Sequence, residues 1–400
     1  MTPPALPLSG LRVIELANVV AGPSVGKHLS DFGAEVIKIE RPGAGDTARA
    51  MGELVGDSRS AWWLGIGRNK RSVTVDLKHP KGREMLLRLV ESADALVESF
   101  RPGVLERLDL APETLRNANP RLVVVRVSAF GQSGPYSDRP GFGTLAEAFS
   151  GLADISGYEG QPPLLAPFAL ADEVAGLFAT WSLLMALYHR DTEDGTGQVI
   201  DISLYESLFN ILGPLPTLYK ANGVLQKRNG SRLPFSSPRN VYRTRDGHYF
   251  AVSGTAPSAA ETVIRLVGGE ELLAHPHFAT QEARVLHADE VDEAVAAWIA
   301  ERDADEVDRL FSDAGAAGIR VLSMAEVFAD PHYAARETLV EVEDSELGRV
   351  TIAAPVPRMS ATPGRVAHVG PPLGQDTDLV LGELGYSNDE IAAGRDEGAW

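Results

Sequence analysis

A carboxylate at the mouth of an apolar helix is the first residue of this chain that reads as chemistry. Asp172 stands in Phe168-Ala169-Leu170-Ala171-Asp172-Glu173-Val174-Ala175-Gly176, ahead of a run that stays mostly apolar to about His189. Two readings are open on these residues. Aspartate is among the preferred helix N-caps, and a first turn favours anions. The reciprocal capping box is incomplete, however, because Ala175 stands where Glu or Gln would close it. The second reading is a reacting carboxylate, since backbone N–H groups at a helix start can hold an oxyanion. Glu173 points to another side of the same helix and takes no role. The chain has no cysteine, which excludes a thiol nucleophile, thiolate metal sites and disulfides together. His275 and His277 form a His-x-His pair, but no companion ligand stands at a metal-binding spacing. They read as surface histidines, and no metal is expected.

The elements that must position such residues begin at Leu11. Leu11–Leu16 is an apolar, β-prone run, and Ala21-Gly22-Pro23-Ser24 supplies a turn and a helix start. Val25, Leu29 and Phe32 recur at helical spacing, Gly33 stops the helix, and Val36–Ile39 gives a second strand. A strand-helix-strand unit this short predicts parallel strands, whose carboxyl ends hold nucleotide-like ligands in open α/β sheets. The turn is not G-x-G-x-x-G, so that dinucleotide fingerprint is absent. Further strands are expected near 72–75, 95–98, 122–127 and 199–203, with helices over 81–92 and 171–189, which makes the fold class α/β. Residues 211–238 turn rich in Pro, Gly, Asn and basic groups and read as a linker or extended arm. A smaller α+β unit follows over 239–329, opened by a hairpin around Asp246-Gly247. The larger domain is expected to combine residues 1–210 with 330–400.

The formal charge of −18 argues against nucleic acid or an anionic membrane as partner. A local basic pocket for a small anion remains compatible with it. Met1–Gly10 does not read as a signal peptide. The apolar stretch Leu177–Tyr188, broken by Thr180 and Ser182, is too short to span a bilayer. A soluble, cytoplasmic protein is expected.

The chain closely resembles the class III coenzyme A transferases, the formyl-CoA transferase and CaiB/BaiF family that also contains α-methylacyl-CoA racemase. The resemblance runs through 11–46, Asn69-Lys70-Arg71-Ser72, Asp76-Leu77-Lys78, Ser99-Phe100-Arg101-Pro102-Gly103 and Gly131-Gln132-Ser133-Gly134-Pro135. It continues through Gly195-Thr196-Gly197-Gln198, Asp201 and Gly370-Pro371-Pro372-Leu373-Gly374-Gln375-Asp376-Thr377. It implies a Rossmann-like large domain, a small domain and two subunits threaded through one another as interlocked rings. It makes Asp172 the covalent nucleophile, which moves coenzyme A from an acyl-CoA to an acceptor acid through aspartyl anhydride and thioester intermediates. It places Arg41, Lys78 and Arg107 near the nucleotide or its phosphates, where Arg can fork onto phosphate and Lys offers a point charge. Asn18, Val19 and Val20 match the segment lining the thiol end. Acyl-CoA is then the substrate, and no tightly bound cofactor is expected.

Departures from the pattern narrow the reaction. The racemases carry a histidine where Phe142 stands, paired with the aspartate as second base; without it, proton exchange at an α-carbon drops to the alternative reading. Formyl-CoA transferases carry a tyrosine-glutamate pair at Phe142-Gly143, a glutamine at Val20 and a run of glycines near Arg228–Phe235, none of which is present here. A non-catalytic acyl-CoA-binding homologue is the third reading, and the presence of Asp172 speaks against it. Phe142 and Gly143 are assigned to the substrate pocket. Arg228 and Arg232, with Arg239 beside them, have two readings: a clamp for a second carboxylate, or a solvated basic linker.

Overall fold

Six strands form one parallel sheet: β1 (Arg12–Leu16), β2 (Glu35–Glu40), β3 (Lys70–Thr74), β4 (Ala95–Glu98), β5 (Val123–Ser128) and β6 (Val199–Ser203). Their order is β3-β2-β1-β4-β5-β6, every neighbour parallel. This is the strand order of dinucleotide-binding Rossmann sheets, and it reverses direction between β1 and β4. The computed structural model describes residues 5–400 except Asp57 and Asp194.

The sheet is covered by α1 (Ala21–Asp31), α2 (Pro80–Glu91), α3 (Gly143–Phe149), α4 (Leu170–Thr192) and α5 (Leu204–Asn210). Strands buried on both faces read as continuous apolar runs, and these do. Val13, Val36, Val97 and Val125 point into one core with Val25 and Leu29 of α1 and Ala175, Ala179 and Leu183 of α4. The alternate residues Ile14, Ile37, Leu96 and Val124 enter the opposite core with Met85 and Leu89 of α2. Val380, Leu381, Ile391 and Trp400 from the carboxyl end close that second core, so both ends of the chain build one unit. Helix α4 is long and apolar enough to cross a membrane by length and composition. Its small residues Ala171, Ala175, Gly176 and Ala179 are buried on the side facing the sheet and α1.

By their internal contacts the residues divide into two units, one of Met1–Leu152, Ala166–Leu212 and Arg336–Trp400, the other of Ala153–Leu165 and Gly213–Ala335. The second contains a three-stranded antiparallel sheet, β7 (Arg239–Arg243), β8 (Tyr249–Ser253) and β9 (Gly318–Arg320), in the order β9-β8-β7. Its core includes Tyr242, Phe250, Val295, Ile299 and Phe311, with the Phe250 and Phe311 rings 4.8 Å apart. The stretch expected as a linker carries a helix at Leu215–Asn222, ended by Gly223 at φ +68°. Residues 153–165 group with this unit because the Gly230 N–H donates to the Gly157 carbonyl at 2.7 Å and Lys227 pairs with Glu159 at 3.0 Å.

Candidate active site

Asp172 is not a helix cap. Ala169 occupies the cap position of α4 and makes no side-chain cap bond, which puts Asp172 third in the helix. The carboxylate is therefore released from capping and sits half-buried in the first turn. It lies directly on Gly143: a Cβ at that residue would stand 2.1 Å from Asp172 Oδ2. Gly143 opens α3, with Phe142, 64% exposed, at the cap position. Burial pushes the Asp172 carboxyl up to about 6; Glu173 and Glu147 push the same way, and a bond to its own backbone N–H opposes them. Glu147 lies one helical turn beyond Gly143, is buried, and accepts the Ala166 N–H at 2.8 Å.

The turn after β1 is held close to this helix. A Cβ on Gly176, one turn beyond Asp172, would stand 2.7 Å from Ser24 Cβ and 3.1 Å from the Ala21 carbonyl. Only a glycine lets α4 lie so close to the start of α1. Asn18 is exposed and donates its N–H to Ser99 Oγ at 3.0 Å, tying the turn to the segment after β4 at the switch point of the sheet. Val19 is half-buried and adopts φ +70°. Val20 is fully buried in a cluster with Ala48, Trp63 and Ile66, against which Ala169 also packs. Its side chain is thus part of the wall's foundation, and only Asn18 and Val19 reach the surface there.

Arg41, Lys78 and Arg107 follow the carboxyl ends of β2, β3 and β4 in the chain and are exposed. Arg101, within the Ser99–Gly103 motif, joins them after β4. Among the described residues none of these four head groups has an ion-pair partner. Other arginines nearby are engaged: Arg49 makes two bonds to Glu40 at 2.7 Å and stacks 3.7 Å over Trp63. Arg126 is held by Glu98 at 2.7 Å and Glu106 at 2.9 Å.

Two expectations are corrected in the second unit. Arg228 pairs with Asp154 at 3.2 Å, and Arg232 with Asp289 and Asp292 at 2.6 Å each. Arg239 donates to the Ser231 carbonyl. These guanidiniums hold their own unit together, because its acidic helices supply the counter-charges locally. The His-x-His pair also proves not to be isolated. His277 and His287 both direct Nδ1 at Glu290, at 2.7 and 3.0 Å. Their rings stack 3.5 Å apart and 5° from parallel, and the ligand atoms of the three residues all lie within 4.8 Å of one another.

Sequence reasoning gave no role to Glu15, Lys38 and Lys70, which lie buried with Asp46 beneath the β1–α1 turn. The available signal was a lysine inside each of two buried parallel strands, a placement that demands a partner.

Known proteins share this architecture and its sequence. The sequence pattern of CoA-transferase family III matches residues 8–377. Succinyl-CoA–D-citramalate CoA-transferase of Chloroflexus aurantiacus is 39% identical over 390 residues, 97% of each chain. Human succinyl-CoA:glutarate CoA-transferase is 31% identical over 378 residues, 94% of this chain and 86% of its own. A crystal structure of a CaiB/BaiF family protein from Brucella suis superposes with a TM-score of 0.84 at 30% identity, over 95% of this chain and all of the other.

Proposed function

This chain belongs to CoA-transferase family III and is a CoA-transferase, and from that premise we propose that Asp172 is its covalent nucleophile, with succinyl-CoA as donor and a short dicarboxylic acid as acceptor. The donor and acceptor classes follow from the activities named for the relatives, which pair succinyl-CoA with citramalate or glutarate. The observation that carries the role of Asp172 is its seat. It is a half-buried carboxylate against a glycine, raised to about 6, and so ionised at neutral pH yet more basic than a free aspartate.

An Asp172 oxygen attacks the thioester carbonyl; the C–O bond forms, the C–S bond breaks, and the electron pair leaves with the CoA thiolate, giving a mixed anhydride. The thiolate then attacks the aspartyl carbonyl, forming an enzyme-bound thioester and releasing the donor as its carboxylate. The acceptor carboxylate attacks that thioester and expels thiolate again, giving a second anhydride. Thiolate attack on the acceptor's carbonyl regenerates Asp172 and yields the new CoA ester. Nucleophile and leaving group are anions at each step, so no proton need move, which suits a site with no histidine at Phe142. Anhydrides hydrolyse readily, so the site must shed water while they exist.

Coenzyme A is assigned to the crevice outside β1 and β4. Its thiol end lies at Asn18 and Val19, and its phosphates at Arg41, Lys78, Arg101 and Arg107. An interlocked homodimer is the assembly proposed. Leu177, Trp181, Met185 and Tyr188 form a stripe along the outer side of α4, each more than half exposed, and a second copy would cover it.

Enzyme incubated with succinyl-CoA and hydroxylamine tests the mechanism by mass spectrometry. The expected product is the hydroxamate of Asp172. An unmodified Asp172 in turning-over enzyme would overturn the assignment.

A further inference from the structure

The turn that meets the thiol end contains a backbone conformation its own residue disfavours. Val19 adopts φ +70°. It is the one β-branched residue among the described non-glycine positions with positive φ, the others being Asn69, Asp109 and Glu337. A branched side chain resists the left-handed region, by a factor of about 5–30 in population. Something must hold it there.

The holder is Asp46. Its Oδ1 accepts the Val19 N–H at 2.9 Å and the Ala48 N–H at 2.9 Å. Its Oδ2 lies 2.7 Å from Lys38 Nζ. Asp46 is itself fixed, because its own N–H donates to Glu40 Oε2 at 2.9 Å. Lys38 is fully buried; its Nζ also donates to Glu15 Oε1 and to the Ala17 carbonyl, both at 2.8 Å. Lys70 completes the frame, 2.8 Å from Glu15 Oε2 and donating to the Pro23 carbonyl at 2.7 Å. The ammonium groups thus tie down the residue before the turn and the first turn of α1, while Asp46 ties down the strained residue between them. Gly26 allows α1 to close over this frame, since a Cβ there would stand 2.0 Å from Glu15 Oε2.

We propose that Asp46 is a positioning residue for CoA transfer: backed by Lys38 and Glu15, its carboxylate holds Val19 in the left-handed conformation and so presets the turn that receives the thiol end of the acyl-CoA beside Asp172. The loop Gly43–Asp46 therefore has an internal task. Its carboxylate is buried, is held below the usual range against its burial by Lys38 and the two N–H donors, and repels rather than binds phosphate.

The inference rests on the crevice and on Asp172 as assigned above, and a double-mutant cycle separates the two. Asp46→Ala is made in the parent and in Val19→Gly, and kcat/KM for succinyl-CoA is measured with thermal melting of all four proteins. Glycine takes φ +70° without penalty, so the turn of the Val19→Gly protein has no strained residue to spring back. Asp46→Ala is expected to lower kcat/KM by tenfold or more in the parent, and by less than threefold relative to Val19→Gly. Melting reports whether each of the four proteins is folded. Asp46→Asn keeps an oxygen to accept the Val19 N–H and should restore most of the loss. An equal loss of kcat/KM in both backgrounds, or no loss in folded Asp46→Ala, overturns the proposal. If Asp46→Ala does not fold, Asp46→Asn decides: an inactive, folded Asp46→Asn overturns it, and an active one supports it. Hydroxamate trapping at Asp172 is read separately, so a failed cycle with a labelled Asp172 refutes only the role of Asp46.

Discussion

The tight seat of Asp172 on Gly143 permits a sharp test, the substitution Gly143→Ala. The added methyl would stand 2.1 Å from Asp172 Oδ2, whereas carbon and oxygen in contact need more than about 3 Å. One of them must give by about 1 Å. Gly143 is not among the glycines with positive φ, so alanine is not excluded there, and replacing a helical glycine removes roughly 0.5–1 kcal/mol of backbone entropy cost. The aspartate is the softer partner, since a rotation about its Cα–Cβ bond carries the carboxylate off the glycine. A displacement of that size at a reacting atom lowers rate by about a hundredfold. The expected result is a kcat about two orders of magnitude below the parent, with CoA affinity within threefold and a melting temperature equal or slightly higher. Steady-state transfer from succinyl-CoA, CoA titration calorimetry and thermal melting measure the three quantities. A folded Gly143→Ala enzyme with kcat within threefold of the parent would falsify the claim that this contact sets the position of the nucleophile.

The pH dependence carries its own sign. With the Asp172 carboxyl raised to about 6, kcat/KM should be flat above neutrality and fall with unit slope below about pH 6; a profile flat down to pH 5 refutes it. The folded carboxyl lies above its unfolded value of about 3.9, so the native state binds the extra proton, and stability declines as pH rises between about 4 and 6. Asp172→Asn removes that cost: it should abolish transfer yet raise stability at pH 8 by roughly 1–3 kcal/mol, a few degrees in melting temperature. An Asn variant that melts lower at pH 8 contradicts the burial argument. Arg41→Ala and Arg107→Ala should each weaken CoA binding about tenfold and reduce its salt dependence. Unchanged affinity in both variants refutes the placement of the phosphates.

Much of this architecture is legible in local patterns. Leu11–Ile39 announces strand, helix and strand because parallel strands buried on both faces are apolar throughout, and the structure places β1, α1 and β2 there. The hairpin at Asp246-Gly247 is equally local, with Gly247 at φ +91°. What the residues hide is what depends on distant partners. Asp172 reads as a cap until the helix is seen to begin at Leu170, a difference of one turn that no propensity resolves. Arg228 and Arg232 look free for a ligand, and only the fold supplies Asp154, Asp289 and Asp292. The glycines at 143 and 176 look interchangeable with alanine until the atoms facing them are known. Val19 offers no turn signal at all, because its conformation is imposed by Asp46 from 27 residues away.

The electrostatics of the site present a difficulty that the fold turns to use. A protein of charge −18 brings an anionic acyl-CoA to a carboxylate that already has Glu147 and Glu173 for neighbours. Direct attraction at the reacting centre is therefore unavailable. The cations Arg41, Lys78, Arg101 and Arg107, without an ion-pair partner among the described residues, follow the strand ends, in the segments assigned to the nucleotide and phosphates. Binding energy gained on that non-reacting part of the substrate can offset the desolvation and repulsion suffered at the thioester. The same burial that makes Asp172 costly to ionise makes it more basic, hence a better nucleophile, once ionised. Transfer then depends on rigidity between the two regions. Gly176 against Ser24, Asp46 under Val19 and Ser99 on Asn18 supply that rigidity, through contacts that touch no substrate.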